Sequence, residues 1–458
     1  MAVLAFQAML SLRLSGTAFQ DEALYLTAGH AELSHLLHGT PLPFHHTAYL
    51  SGSPQLYPVL AAAVDGTFGL YGARALSLLF MLGTTGLLYS FTRRLFNERA
   101  GLAAAALFSV VQSTIVMGHL ATYDAPAMFL LALATWIVVR TARMPAPGVL
   151  LAAPVAALAV GVKHASGLYL PTVIGLALLA ALPHRRGKAF LRPLLLALGI
   201  GALLALGTYG TYGTYGTYGT YGTYGTDLLA GLRQTMTMTM TNREHGSDGA
   251  VFLLEQSSQW GGLMFLTAVG GTISYALRGR MHESPLPSRP GRPTRLQRAL
   301  LGSLLCATAL LAPVCQMHLG TVASLFKHIG FGLLFAAPMA GVGLTRLVGA
   351  HFRHPHLGIA LWTVSLCLGI SQADLRFASR PDSSTMIRTI SSHVERWPLP
   401  QLDARRARLL PARQDHAPSV ARPQLPAWRQ SSSRTVPEHH RDRVGPEGYD
   451  VSIRGRRR

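Results

Sequence analysis

Acidic residues are scarce: the 458-residue chain has 20 Asp and Glu against 40 Lys and Arg, and charged residues make up only 13% of it. With 49% hydrophobic residues, gathered in long blocks rather than amphipathic stripes, this is the composition of a polytopic membrane protein. Cysteine is nearly missing. Cys306, Cys315 and Cys367 fall inside or at the ends of apolar blocks, with no CxxC spacing and no neighbouring His pair, which excludes a disulfide framework and argues against a zinc site. Lysine is equally rare, three residues against 37 arginines; with abundant Ala and Gly, this points to a GC-rich genome and so to a bacterium. No Gly-rich nucleotide loop is visible. The net charge of +20 raises nucleic acid as a partner. Most of the basic residues, however, lie in short loops or near the C-terminal end, a pattern that topology explains better.

A bilayer core needs roughly 20 apolar residues per helix, and blocks of that size recur at 72–92, 100–118, 123–140, 147–163, 166–183, 190–207, 261–278, 298–316, 329–348 and 356–373. Residues 1–12, "MAVLAFQAMLSL", add a shorter one, read as a truncated first helix or a short anchor; no basic region precedes it, so it does not suit a cleaved signal peptide. The expectation is an all-α protein of about 10–11 transmembrane helices. Every second loop is basic: Arg93–Arg94, Arg140 with Arg143, "HRRGK" (184–188), the 278–298 loop, and Arg346 with "HFRHPH" (351–356). The positive-inside rule puts these in the cytoplasm. The outer set is then 13–71, the turn near His119–Asp124, Lys163–His164, 208–260, 316–328 and the chain from about 374.

Two segments are unusual. Residues 208–225 are six TYG triplets, followed by "TMTMTMT" at 235–241. A Gly every third residue weakens a helix and the lack of Pro excludes collagen, so the repeat reads as a length polymorphism. From about Trp397 the chain is rich in Arg, Pro and Gln and shows no period of 2 or 3.6, as in a disordered segment or an out-of-frame reading of a GC-rich gene.

Asp21 and Glu22 stand side by side just beyond the first apolar block. They either open a helix, where acids complement the macrodipole, or serve a function, as ionisable groups near membrane depth commonly do. Asp124 opens the fourth span at the same side. Lys163–His164 close the fifth and Lys327–His328 open the tenth, so two of the three lysines face outward, against the charge rule. Each Lys–His pair alone fits interfacial snorkelling. Together, acids and cations at one surface fit a site for an anionic, phosphate-bearing lipid with a carboxylate available as base.

"DEALY" (21–25), "YDAPAMFLLALATW" (123–136) and the succession of spans with short loops resemble the GT-C membrane glycosyltransferases over about residues 13–373. The resemblance is to glycosyltransferase family 39, which includes protein O-mannosyltransferases and lipid A aminoarabinose transferases. It implies Asp21 as general base or acceptor-orienting carboxylate with Glu22 beside it, Asp124 as a second acid of the site, and a polyprenyl-phosphate sugar whose phosphate is held by cations. Lys163 and Lys327 are the candidates for those cations by position and charge, with His164 and His328 behind them. Several members carry Lys-Pro-Pro later in the first loop, where this chain has "GSPQLYPVL" (52–60), keeping Pro54 without a preceding Lys. That leaves donor type and any divalent metal open; "FHH" (44–46) offers imidazoles, though adjacent loop histidines are commonly solvent-facing.

The implied organisation is a glycosyltransferase domain at 1–373, with outer loops 13–71 and 208–260, and an extracytoplasmic tail at 374–458. The implied reaction is transfer of a sugar to a protein, lipid or glycan acceptor at the outer face of the bacterial plasma membrane, with inversion and no obligatory cofactor. A lipid-linked saccharide transporter or flippase would also want outer charges, but it would show inverted repeats with broken helices. A non-catalytic membrane protein is the other alternative.

Overall fold

Backbone N–H and C=O groups cannot stay unpaired in hydrocarbon, so an apolar block closes its hydrogen bonds within itself as a helix. The described residues hold helices and no strands. The computed structural model describes residues 1–13, 16–42, 50–53, 55–184, 187–216, 246–279 and 293–394. In chain order the α-helices are α1 (Ala2–Ser11), α2 (Asp21–His38), α3 (Tyr57–Leu95), α4 (Glu98–Ser109), α5 (Gln112–Met117), α6 (Asp124–Arg140), α7 (Ala153–Val162) and α8 (Leu170–Leu179). They continue with α9 (Leu191–Gly216), α10 (Ala250–Arg278), α11 (Arg295–Thr308), α12 (Leu311–Leu319), α13 (Leu325–Val348), α14 (Pro355–Ala378) and α15 (Ser384–Val394). Short 3₁₀ helices at Ala146–Ala152 and His164–Tyr169 lead into α7 and α8.

By length and composition, five helices are long and apolar enough to cross a membrane: α3, α10, the joined α11–α12, α13 and α14. Each of the ten expected blocks falls on helix, but several are interrupted. Block 100–118 is α4 and α5, separated at Val110–Val111, where Val111 is extended. The block at 298–316 is broken between α11 and α12. Helix α3 begins at Tyr57 rather than near 72, so the end of the expected first loop is helical; it breaks at Gly69, whose φ of 68° is open to glycine. Helix α9 continues through the first three TYG triplets to Gly216. The remaining triplets, "TMTMTMT" and the chain from 395 lie outside the described residues.

The chain divides into two units, Met1–Ser392 and His393–Arg458. The first reaches past the boundary at 373 set by hydropathy. Its centre is α13, buried from Ile329 to Val342, against α4 and α10. Close packing of membrane helices needs small residues at the contact, because lipid is as apolar as the side chains it would replace. A Cβ on Gly341 would lie 2.2 Å from the Ala100 carbonyl oxygen, and one on Gly271 would lie 2.0 Å from that of Met339. Asn97 caps α4 by accepting the Ala100 N–H at 2.8 Å, so the turn that meets Gly341 has a fixed start. On the outside, Ile359, Val364, Leu368 and Leu375 of α14 are exposed, an apolar face that suits acyl chains.

Gly341→Ala should force α13 off α4 and destabilise the protein by about 1–3 kcal/mol. Gly86→Ala, with nothing within 4 Å of the added carbon, should leave thermal unfolding in detergent unchanged. Equal melting of the two variants would show that this contact does not set the helix spacing.

Candidate active site

Lys163 is brought into place by backbone pairing. The Ser53 N–H donates to the Gly161 carbonyl at 2.8 Å and the His164 N–H to the Ser51 carbonyl at 2.7 Å. Between them Gly52 lies so close that a Cβ would sit 2.0 Å from the Val162 oxygen. This holds Lys163 extended between α7 and the following 3₁₀ turn, with its ammonium in the interior. On the facing side, α13 starts at Leu325 and carries Lys327 and His328 in its first turn. Asp124 begins α6, and Asp21 begins α2.

These groups meet in one cavity of about 160 Å³, whose wall also includes Tyr25, Tyr123, Tyr169, Gln316 and Phe331. Lys163 donates to Asp124 Oδ1 and to His328 Nε2, the latter at 3.0 Å. Lys327 donates to Asp21 Oδ2 and its ammonium lies 3.5 Å from Asp124 Oδ2. Asp124 is fully buried, and the lysine side chains are only 5% and 6% exposed, whereas Asp21 is 39% exposed. The result is an alternating chain of charge, Lys163–Asp124–Lys327–Asp21, buried except at Asp21, with His328 bonded to its Lys163 end. A charged Lys163 can only donate to His328 Nε2, and the other ring nitrogen, Nδ1, lies 3.0 Å from the Gln316 amide nitrogen. The Tyr169 hydroxyl donates to the His328 carbonyl at 3.3 Å. The Lys163 ammonium also lies over the rings of Tyr123 and Phe331, at 5.2 and 5.3 Å.

Two of the expected site residues, Glu22 and His164, stand apart from the others. Glu22, grouped with Asp21 as catalytic, does not line the cavity: adjacent helical residues point about 100° apart, and its side chain is turned into the protein. There Arg74 grips it in a fork, Nε to Oε1 at 3.0 Å and Nη2 to Oε2 at 2.9 Å. Arg380 Nη1 reaches Oε2 at 2.9 Å and the Ala121 N–H reaches Oε1 at 2.9 Å. His164 also stays outside the cavity lining, and burial pushes its pKa down. The histidines of "FHH" (44–46) and Pro54 lie outside the described residues, and no group of three or more His, Cys, Asp or Glu able to hold a metal occurs among the described ones.

Arg74 and Gln316 went unnoticed in the sequence. Arg74 carried a readable signal, an isolated cation inside an apolar block. Gln316 had none, since a polar residue at a span end is ordinary.

The family model for dolichyl-phosphate-mannose-protein mannosyltransferases matches residues 59–209, a stretch that includes Arg74, Asp124 and Lys163. The resemblance to the GT-C membrane mannosyltransferases is real over that stretch. Among solved structures, the chain is similar to the oligosaccharyltransferase of Archaeoglobus fulgidus in its apo form, at 12% identity and a TM-score of 0.48, over 81% of this chain and 55% of that one. It is similar also to the oligosaccharyltransferase AglB of that organism in complex with an inhibitory peptide and a dolichol-phosphate, at 12% identity, a TM-score of 0.47 and the same coverage. The chain thus spans about half the length of those proteins, and overlaps of this size leave its function open. No curated protein matches it in sequence.

Lys163→Met should cost about 3–5 kcal/mol, because it strips the nearest cation from a fully buried carboxylate. Adding Asp124→Asn should restore part of the loss, as read by thermal unfolding in detergent. A double variant no more stable than Lys163→Met would show that the pair is not coupled.

Proposed function

We propose that this chain is a membrane glycosyltransferase that moves a sugar from a polyprenyl-phosphate donor to an acceptor hydroxyl at the outer face of a bacterial plasma membrane. The observation that carries the reading is the half-open carboxylate of Asp21, set beside two nearly buried lysines in one cavity. Buried lysines at membrane depth are costly, and an anionic ligand is what two convergent ammonium groups recognise. The match to a family described by dolichyl-phosphate-mannose supports a lipid monophosphate donor.

In this reading the donor phosphate lies against Lys163 and Lys327, and the acceptor hydroxyl approaches C1 of the sugar from the opposite side. Asp21 accepts the hydroxyl proton as the oxygen bonds to C1. The C1–O bond to phosphate breaks, and its electron pair leaves with the phosphate. Displacement from the back inverts C1. The developing charge is on the leaving phosphate, so the lysines contribute most as fixed cations in a site largely closed to water. Asp124 holds both lysines in place, and His328 steadies Lys163. Glu22 and His164 have no part in proton transfer. The glycosyltransferase domain at 1–373, with its 13–71 and 208–260 outer loops, then extends at least through Ser383.

The test is transfer of radiolabelled sugar from a panel of polyprenyl-phosphate hexoses and pentoses by membranes holding this chain. Asp21→Asn should lower turnover by about 10²–10⁴-fold with protein level unchanged, and the product anomer should be opposite to the donor's. A fully active Asp21→Asn would refute Asp21 as the base.

A further inference from the structure

Nothing in the proposed chemistry uses the chain from the last turns of α14 onward, yet three contacts fasten it to the first loop. Arg13 Nη1 lies 2.6 Å from Asp374 Oδ1. The Ser383 N–H donates to Thr17 Oγ1 at 3.0 Å, and Arg380 Nη1 lies 2.9 Å from Glu22 Oε2. Arg13, Thr17 and Glu22 are thus joined to Asp374, Ser383 and Arg380 from opposite ends of the sequence. The strongest tie is also the deepest: Glu22 is 0% exposed and Arg380 16%. Arg74, on the far side of Glu22, spends its remaining donors on the carbonyls of Gly16 at 3.1 Å and Thr17 at 3.3 Å, so the turn before Asp21 is held by the same group of charges. Glu22 Oε1 in turn takes the N–H of Ala121, three residues before Asp124.

Glu22 therefore ties the segment bearing Asp21 to the segment bearing Asp124, and both arginines hold Glu22. One arginine in a bidentate fork would neutralise it; the second brings a separate piece of chain into the site.

Resting on the transferase reading, we infer that Arg380 is a positioning residue: by docking the segment after α14 onto Glu22, it fixes where Asp21 stands relative to Asp124 and Lys327. Its loss leaves Glu22 and the turn at Gly16–Thr17 held by Arg74 but removes the second grip on the Glu22 carboxylate, so Asp21, the next residue on the same helix turn, is misplaced while the lysines that hold the phosphate stay where they are.

The test uses the full chain in membranes, with polyprenyl-phosphate mannose as the probe. R380M should lower kcat about tenfold or more, since a shift of about 1 Å in a reacting group is enough for that. KM for the donor should change by less than about threefold, because Lys163 and Lys327 are untouched. R380K should recover part of kcat. In the E22Q background R380M should have little further effect. R388M, on exposed α15, should behave as the parent. A second readout does not depend on activity: T17C/S383C should form a disulfide on mild oxidation with diamide, seen as a gel shift, and R380M should reduce its yield several-fold. Unchanged kcat in R380M, or an effect that persists in full in E22Q, overturns the inference. If no probe is turned over, the transferase reading falls and the cross-link decides the docking: its loss in R380M upholds the docking, and its persistence overturns it.

Discussion

A carboxylate taken out of water in a low-dielectric interior has to be neutralised where it stands, or it will not stay ionised. One end of this helical bundle is arranged around that constraint. Asp124 and Glu22 are both fully buried, and each draws cations from elements distant in sequence. Asp124 binds Lys163, from the link after α7, and lies close to Lys327 at the start of α13. Glu22 binds Arg74 within α3 and Arg380 beyond α14. Since none of these pairs lies within one helix, the helices cannot shift independently without leaving a buried charge exposed to hydrocarbon. Of these, the pairs of Asp124 also line the cavity.

The apolar packing beneath supplies what ion pairs lack, which is spacing. Ion pairs tolerate several tenths of an ångström because long side chains adjust. A glycine against a carbonyl does not. Where Gly341 meets Ala100 and Gly52 meets Val162, the backbone is set directly, and the ammonium of Lys163 is delivered to Asp124 from a fixed base. The two kinds of contact divide the work: glycines set distance, and charges set register.

Much of this was legible in the sequence, and the reasons are physical. Apolar blocks report helices because lipid forbids other backbone arrangements, and each expected block falls on helix. Asp21, Asp124, Lys163 and Lys327 could be assigned to one end of the bundle by counting loops, and the structure brings them into one cavity. Interruptions were hidden: Val110 and Val111 are apolar on either side of the break between α4 and α5, so hydropathy passes over it smoothly. Arg74 was visible as a lone cation in an apolar run and went unread. Arg380 was illegible. It pairs with a residue 358 positions away and stands just before a stretch whose composition resembles a disordered tail.

The two adjacent acids show most clearly what sequence alone leaves unresolved. Asp21 and Glu22 share a neighbourhood, a charge and a helix N-terminus, and each could equally serve as base or as anchor. What separates them is helix phase. Residue 21 points along the mouth of the cavity, where water and an acceptor hydroxyl can reach it, and residue 22 points inward, where only permanent cations and a peptide N–H are within reach. A base must give up and regain a proton with each turnover, so it needs access to solvent or substrate. An anchor must stay ionised, and a guanidinium, which does not deprotonate, holds it so. The pairing partners differ accordingly. Asp21 is met by a lysine, a compact ammonium, and Glu22 by the two-pronged Arg74 and a single contact from Arg380. Exchanging the two environments would abolish both roles, which is why the "DE" order matters as well as its composition.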